Sequence, residues 1–203
     1  MKRYSDASFP PLGPWDRRLT EIACPELKPV ELLHQNPWFA VRNRGGYFTM
    51  EYHLPQIIVL PVVNAEAIVM VRAKRPVLDD LTLELPAGGS EDNESPVASA
   101  ARELAEETGI LVDTLARFVP MPPLAAAPNR MPKLLYVFQV SLTHREFDER
   151  GAHDDEIDTV ELVSLRDAAR FMTTGRIYVA VPIAVISMYL LKFHFLNRTA
   201  AVK

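Results

Sequence analysis

From Gly88 to Ile110 the chain reads GGSEDNESPVASAARELAEETGI. Glu94 follows Gly88 after five residues, and after seven more come Arg102-Glu103-Leu104, Ala105, Glu106-Glu107, Thr108, Gly109 and Ile110. On a helix turning about 100° per residue, Glu103, Glu106 and Glu107 share one face. Carboxylates spaced i, i+3 and i+4 repel one another, so such a face invites a compensating cation. Hard oxygen ligands select Mg or Mn rather than Zn. A lone E-x-x-E-E would be read as a solvated acidic surface. Here a glycine loop, an arginine beside the first glutamate and a Gly-aliphatic end accompany it, and together they favour a bound cation over a solvated face.

Helical signals surround these acids. Ser95 suits an N-cap and Pro96 the first helical position, where a missing N–H costs nothing. Val97 to Thr108 is rich in Ala, Leu, Glu and Arg, and Gly109 supplies a stop. Val97, Ala101, Leu104, Ala105 and Thr108 form the opposite, packing face. Upstream, Trp38–Arg42 and Tyr47–Tyr52 are β-prone around the turn Asn43-Arg44-Gly45-Gly46, which makes a hairpin. Ile57–Val63 and Ala67–Arg72 read as apolar strands joined at Asn64-Ala65-Glu66, and Thr82–Leu85 as a short alternating strand. Downstream, Val112–Val119 and Leu134–Leu142 read as strands separated by a proline-rich loop. His144–Asp155 reads as a charged turn, Thr159–Val163 as a strand and Leu165–Thr173 as a helix. The apolar run Ile177–Leu196 is interrupted by Pro182, Lys192 and His194, so it reads as a buried C-terminal helix and not a membrane anchor. Strands on both sides of a central helix, with helices at the end, give an α/β fold of α/β/α sandwich type with a mixed sheet, plus a small N-terminal β region.

The run Gly88–Ile110 matches G-x5-E-x7-R-E-U-x-E-E-x-G-U, with U a bulky aliphatic. It resembles the box of the Nudix hydrolases, a family of Mg-dependent diphosphate hydrolases. The segment Val69-Met70-Val71-Arg72-Ala73-Lys74-Arg75, followed by Leu83-Glu84-Leu85-Pro86-Ala87-Gly88, resembles the ADP-ribose pyrophosphatase branch. The resemblance covers roughly residues 56 to 196 and implies Mg2+, with Mn2+ as a substitute. It implies Glu103 and Glu107 as ligands, Glu106 as a ligand or its hydrogen-bonded neighbour and a catalytic residue, an oxygen from the Ala87 carbonyl, and Glu94 through water. Arg102 would orient a box glutamate, and Gly88 and Gly89 would let backbone come close to metal and phosphate.

The same resemblance implies that Arg75 meets the substrate diphosphate, where a guanidinium fork suits phosphate oxygens, with Arg72 and Lys74 as weaker candidates. The general base would come from Gly151-Ala152-His153-Asp154-Asp155-Glu156-Ile157-Asp158, with Glu156 first and Asp155 second; His153 could titrate near neutral pH. The branch's Ser-Pro-Gly triplet and its acid are absent after the box. In their place stands a loop from Pro120 to Arg130, whose Asn129 and Arg130 could read the sugar or phosphate. Trp38, Phe39, Tyr47 and Phe48 could stack a base across a dimer or simply pack. The expected reaction converts ADP-ribose to AMP and ribose 5-phosphate. GDP-mannose or another sugar nucleotide is the alternative substrate, and a non-catalytic nucleotide-sensing module is the alternative of another class.

The remaining expectations concern the whole chain of 203 residues. Residues 1–55 would form an N-terminal arm and β-hairpin region for dimerisation, and 56–203 the hydrolase domain; a homodimer is implied by the resemblance. A net charge of −4 argues against a nucleic-acid surface; the resemblance implies a small-molecule nucleoside diphosphate sugar as partner. The single cysteine, Cys24, allows no internal disulfide and no Cys-rich zinc site. It fits a reducing cytoplasm. The N-terminus has basic residues without a following apolar run, so it is not read as a secretory signal, and no membrane association is expected.

Overall fold

A computed structural model describes residues 11–192. An irregular segment with one 3-10 turn at Arg17–Leu19 leads into a three-stranded antiparallel sheet of β1 (Val30–Gln35), β2 (Phe39–Arg44) and β3 (Tyr47–Tyr52). The β2–β3 hairpin turns at Gly45 and Gly46, with φ of 55° and 93°, where glycine carries no Cβ penalty. The inner face of this sheet is polar: Glu51 is buried and accepts from Arg42, Arg44 and Thr49. Strand β1 was not anticipated. All six of its residues are exposed, so it carries no in/out alternation to read.

The larger sheet is built around β4 (Gln56–Val63) and β5 (Ala67–Arg75), followed by β6 (Asp80–Glu84), β7 (Ala87–Gly89), β8 (Phe118–Pro120), β9 (Tyr136–Leu142) and β10 (Ile157–Ser164). Its main order is β10-β5-β4-β9-β8, with β6 paired to β5 and β7 to β4. Strand β9 runs parallel to β4 and the other pairs are antiparallel, so the sheet is mixed. Strands β4 and β5 are near-continuous apolar runs because both their faces are covered.

Helix α1 (Pro96–Thr108) covers one face, where Ala100 and Leu104 pack with Ile57, Val59, Val69 and Phe138. A short α2 (His144–Asp148) follows β9. Helices α3 (Leu165–Thr173) and α4 (Ala180–Leu191) cover the other face, where Phe171, Val185 and Ile186 meet Leu60, Met70 and Val137. The result is the anticipated α/β/α arrangement.

Three sequence readings are corrected. Val112–Val119 is not a strand: Leu111, Leu115 and Val119 are exposed while Val112 and Phe118 are buried, so no common face forms. One 3-10 turn at Leu115–Arg117 intervenes, and only Phe118–Pro120 pairs with β9. The charged segment after β9 begins with a helix, not a turn, because Thr143 and Glu146 form a reciprocal capping box. The C-terminal helix starts at Ala180 rather than Ile177. Gly175, at φ 76°, turns the chain after α3, and the Ile177 N–H is held by the Phe171 carbonyl. Residues 193–196 of that expected helix lie outside the described residues. Among the described residues no helix is long and apolar enough to cross a membrane.

Candidate active site

The box helix forms as its sequence indicates. Ser95 caps it by accepting from the Ala98 N–H, Pro96 is its first residue, and Gly109 ends it at φ 71°. In front of it, β7 pairs with the start of β4, placing Gly88 opposite Ile57 and Ala87 opposite Ile58. The glycine loop is thereby fixed against the sheet and against the acidic face of α1.

Glu103 is buried and lies so close to the loop that a Cβ on Gly88 would sit 2.2 Å from its Oε2. Any side chain at position 88 would displace this carboxylate, so glycine here matters for proximity and not for its φ. Glu107 is half-buried and accepts from the Ala87 N–H at 3.1 Å. Burial pushes its pKa up to about 8. The charges of Glu103 and Glu84 add to this, against the Ala87 N–H and the positive charge of Arg75. Burial likewise raises Glu103, partly offset by Arg102. Glu106 is more exposed and receives Arg102 at 2.7 Å.

Arg102 ties loop and helix together. One terminal nitrogen donates to Glu103 at 2.9 Å and Glu106 at 2.7 Å, and the other to the Gly89 carbonyl at 2.7 Å and Glu94 at 3.2 Å. Burial works against the ionisation of Glu94. Ser99, Arg102 and the Glu91 N–H outweigh it and hold the carboxyl below its ordinary value.

The downstream acid loop is bolted to the same place. The Gly151 and Asp154 N–H groups donate to the Gly109 and Glu106 carbonyls, at 2.8 and 2.9 Å. From β5, Lys74 donates through its backbone to the Glu156 carbonyl at 3.0 Å and through Nζ to the Asp155 carbonyl at 2.7 Å. Asp155 and Glu156 then face Arg75, Pro76, Val77 and Leu78 across an open cleft of about 600 Å³. Arg75 donates from Nε to Glu84 at 2.8 Å, and this bond chiefly raises its pKa, with Glu107 and Glu156 also contributing favourable charge.

The other expected residues lie elsewhere. Arg72 pairs with Glu161 on β10. His153 contacts the carbonyl of its neighbour Asp154. Arg130 donates to the Asn129 carbonyl and lines, with Arg18, Cys24 and Tyr47, a separate cavity of about 360 Å³ that includes no box residue. Trp38 and Phe39 line a third cavity, of about 290 Å³, that reaches Gly89 and Ser90 within the same chain. Phe48 is exposed. Sequence reasoning gave Glu84 no role of its own and saw Lys74 only as a phosphate contact. The antiparallel register that lays β6 on β5 was the missing information.

The donor set suits a hard divalent cation. It is all oxygen, and one of its carboxyls, Glu107, is raised by burial to about 8, so a bound cation there would compete with a proton. Among the described residues no three acidic, His or Cys side chains already converge on one point. Three of the box carboxylates, Glu94, Glu103 and Glu106, are turned to Arg102 and one, Glu107, to the Ala87 N–H, so ion binding requires side-chain rotation but no new ligand type.

A mixed sheet sandwiched by helices, with an acidic helix face against a glycine loop, defines an α/β/α protein with a candidate cation site. The family model for the NUDIX domain matches residues 53–180, and the chain belongs to that family. It is 29% identical over 127 residues to a methanol dehydrogenase activator of Bacillus methanolicus and 29% identical over 126 residues to an ADP-ribose pyrophosphatase of Bacillus subtilis (strain 168). Each match covers 62% of this chain and 66% of the relative, just short of two thirds of its length. A 57-residue stretch is 46% identical to a mouse ADP-sugar pyrophosphatase, covering 26% of each chain. The solved structure of an ADP compounds hydrolase superposes with a TM-score of 0.62 at 17% identity, covering 82% of this chain and 94% of the other. That likeness establishes the fold.

Proposed function

We propose that the protein is a divalent-metal-dependent hydrolase of the diphosphate bond in nucleoside diphosphate sugars, with ADP-ribose, cleaved to AMP and ribose 5-phosphate, as the first substrate. The observation that carries this reading is the pairing of Glu103 and Glu107 with the glycine loop: one carboxylate fills the space a Gly88 side chain would take, and the other, raised by burial to about 8, accepts from the Ala87 N–H. The names of the Bacillus subtilis and mouse relatives favour ADP-linked substrates.

In this reading Glu103, Glu107 and the Ala87 carbonyl hold Mg2+, with Mn2+ able to substitute, and Glu106 joins them directly or through water. When bound, the ion neutralises diphosphate charge and acidifies a water. Arg75 offers its terminal nitrogens to the diphosphate, which holds the reacting phosphorus in the cleft. Glu156, pinned by Lys74 across that cleft, takes a proton from the attacking water as the P–O bond to the leaving phosphate breaks; Asp155 is the second choice. The protein acts as a homodimer through its small sheet.

Two observations keep GDP-mannose or another sugar nucleotide as the second reading: the Ser-Pro-Gly triplet is absent, and Arg130 lines a cavity apart from the box. A sensing module without catalysis is disfavoured because every box glutamate is retained. The test is phosphatase-coupled phosphate release with Mg2+ over ADP-ribose, ADP-glucose, GDP-mannose, UDP-glucose, NADH and diadenosine polyphosphates. A dominant ADP-ribose signal is expected, a dominant signal elsewhere reassigns the substrate, and silence across the panel removes the enzyme reading.

A further inference from the structure

We propose that Glu84 and Thr82 are positioning residues that aim Arg75 at the substrate, forming a Thr82–Glu84–Arg75 relay; this rests on the diphosphate hydrolase reading above. In the β5–β6 ladder Ala73 stands opposite Thr82, Arg75 opposite Asp80 and Val71 opposite Glu84. Residues two apart share a face, so Ala73, Arg75, Thr82 and Glu84 all lie on one side of this pair. Arg75 does not bond the residue opposite it. Its side chain runs back along the ladder, past the small Ala73, until Nε reaches Glu84 Oε1 at 2.8 Å. That course carries the guanidinium away from the hairpin tip and toward the box.

The acceptor is itself held. The fully buried Thr82 hydroxyl lies 2.5 Å from the same Oε1, and the Glu84 side chain is 12% exposed. Because Glu84 engages Nε, the two terminal nitrogens of Arg75 have no hydrogen-bond partner among the described residues, while the side chain borders the cleft with Asp155 and Glu156. An arginine fixed at Nε and open at its fork is set for two-point contact with phosphate oxygens, and less conformational freedom is lost on binding. Thr82 is not a box residue and does not line the cleft of Asp155 and Glu156, so its part in this is indirect.

The experiment is a kinetic comparison on ADP-ribose of the native protein with E84Q, T82V, T82S, R75A and the R75A/E84Q double variant, with folding checked by thermal melting. Loss of the charged acceptor in E84Q is expected to raise KM roughly tenfold while kcat stays within about twofold, and T82V roughly threefold, with T82S restored. The double variant should be no worse than R75A alone, because Glu84 acts through the arginine. An unchanged KM in E84Q, or an E84Q effect that adds fully to that of R75A, overturns the relay while leaving the hydrolase reading in place. A native protein that neither hydrolyses nor binds ADP-ribose overturns that reading and the relay with it.

Discussion

Glu107 concentrates the chemistry of the site in one carboxyl group. Its pKa of about 8 stands well above the ordinary 4.5, chiefly through burial, so at neutral pH the metal-free protein carries it protonated. In the proposed site a cation displaces that proton, so affinity for Mg2+ or Mn2+ should climb as pH rises from 6 to 8 and level off above. Calorimetric titrations at pH 6, 7 and 8 read this directly; a flat profile contradicts the assignment. The same shift has a stability consequence with a definite sign. A group whose folded pKa is raised contributes stability that is present below about 4.5 and lost as pH rises through about 8. The metal-stripped protein should melt higher at pH 6 than at pH 8.5, and E107Q should narrow that gap. E107Q should also lower turnover on the order of a thousandfold while retaining nucleotide binding. Gly88 poses a purely steric version of the same test. In G88A the new methyl group meets Glu103 at 2.2 Å, so the carboxylate must swing away. Metal affinity should fall at least tenfold, by about 1.4 kcal/mol, with the fold kept, as circular dichroism and a metal titration would show.

At the scale of elements, Arg102 joins the glycine loop to the helix that faces it. It reaches the Gly89 carbonyl, Glu94, Glu103 and Glu106 with one planar group. R102A leaves three acids without their shared cation. The expected cost is about 2 kcal/mol or more, lowering Tm by about 4–8 °C for a chain of this size. R102K should recover only part of this, because an ammonium cannot span both loop and helix. A melt of R102A indistinguishable from the native one would show that the loop is held by β7 pairing alone. Helix α1 was readable because every local rule agrees there: cap, proline, periodic face and terminal glycine. Strands β4 and β5 were readable because they are apolar throughout. Strand β1 was not, since an edge strand exposed along its length has no pattern. Helix α2 was missed although Thr143 and Glu146 spell a capping box, because charge density was taken for a turn. For the site, the box acids follow from one helix, whereas the Arg75–Glu84 bond and the Lys74 clamp depend on which strands pair and in what register.

At the scale of the whole molecule, the small N-terminal sheet carries exposed apolar side chains. Thr49 and Glu51 point inward from β3, so Phe48, Met50 and Tyr52 lie on the outer face, joined by Phe39 and Val41 through the β2–β3 register. Phe48 is 53% exposed; Leu33 on β1 and Trp38 in the β1–β2 turn are also exposed, whereas Leu32 lies beside Arg42 on the other face. Exposed aromatic side chains on a sheet face suit an interaction surface, and a second copy of the chain is the occupant that the proposed homodimer supplies. Light scattering should then give twice the chain mass of 22.8 kDa. A charge placed in the centre of a two-fold interface is met by its own symmetry mate, so F48E should repel itself twice over and shift the protein to monomer at micromolar concentration. Because Phe48 is exposed and far from the packing of both large-sheet faces, the variant's thermal unfolding should stay close to that of the native subunit. Loss of turnover in the F48E monomer would mean that the partner completes the site, which Trp38 and Phe39, lining a cavity beside Gly89 in their own chain, make unnecessary. Retained turnover at low affinity is the expected result, and a native protein that is already monomeric removes the interface altogether.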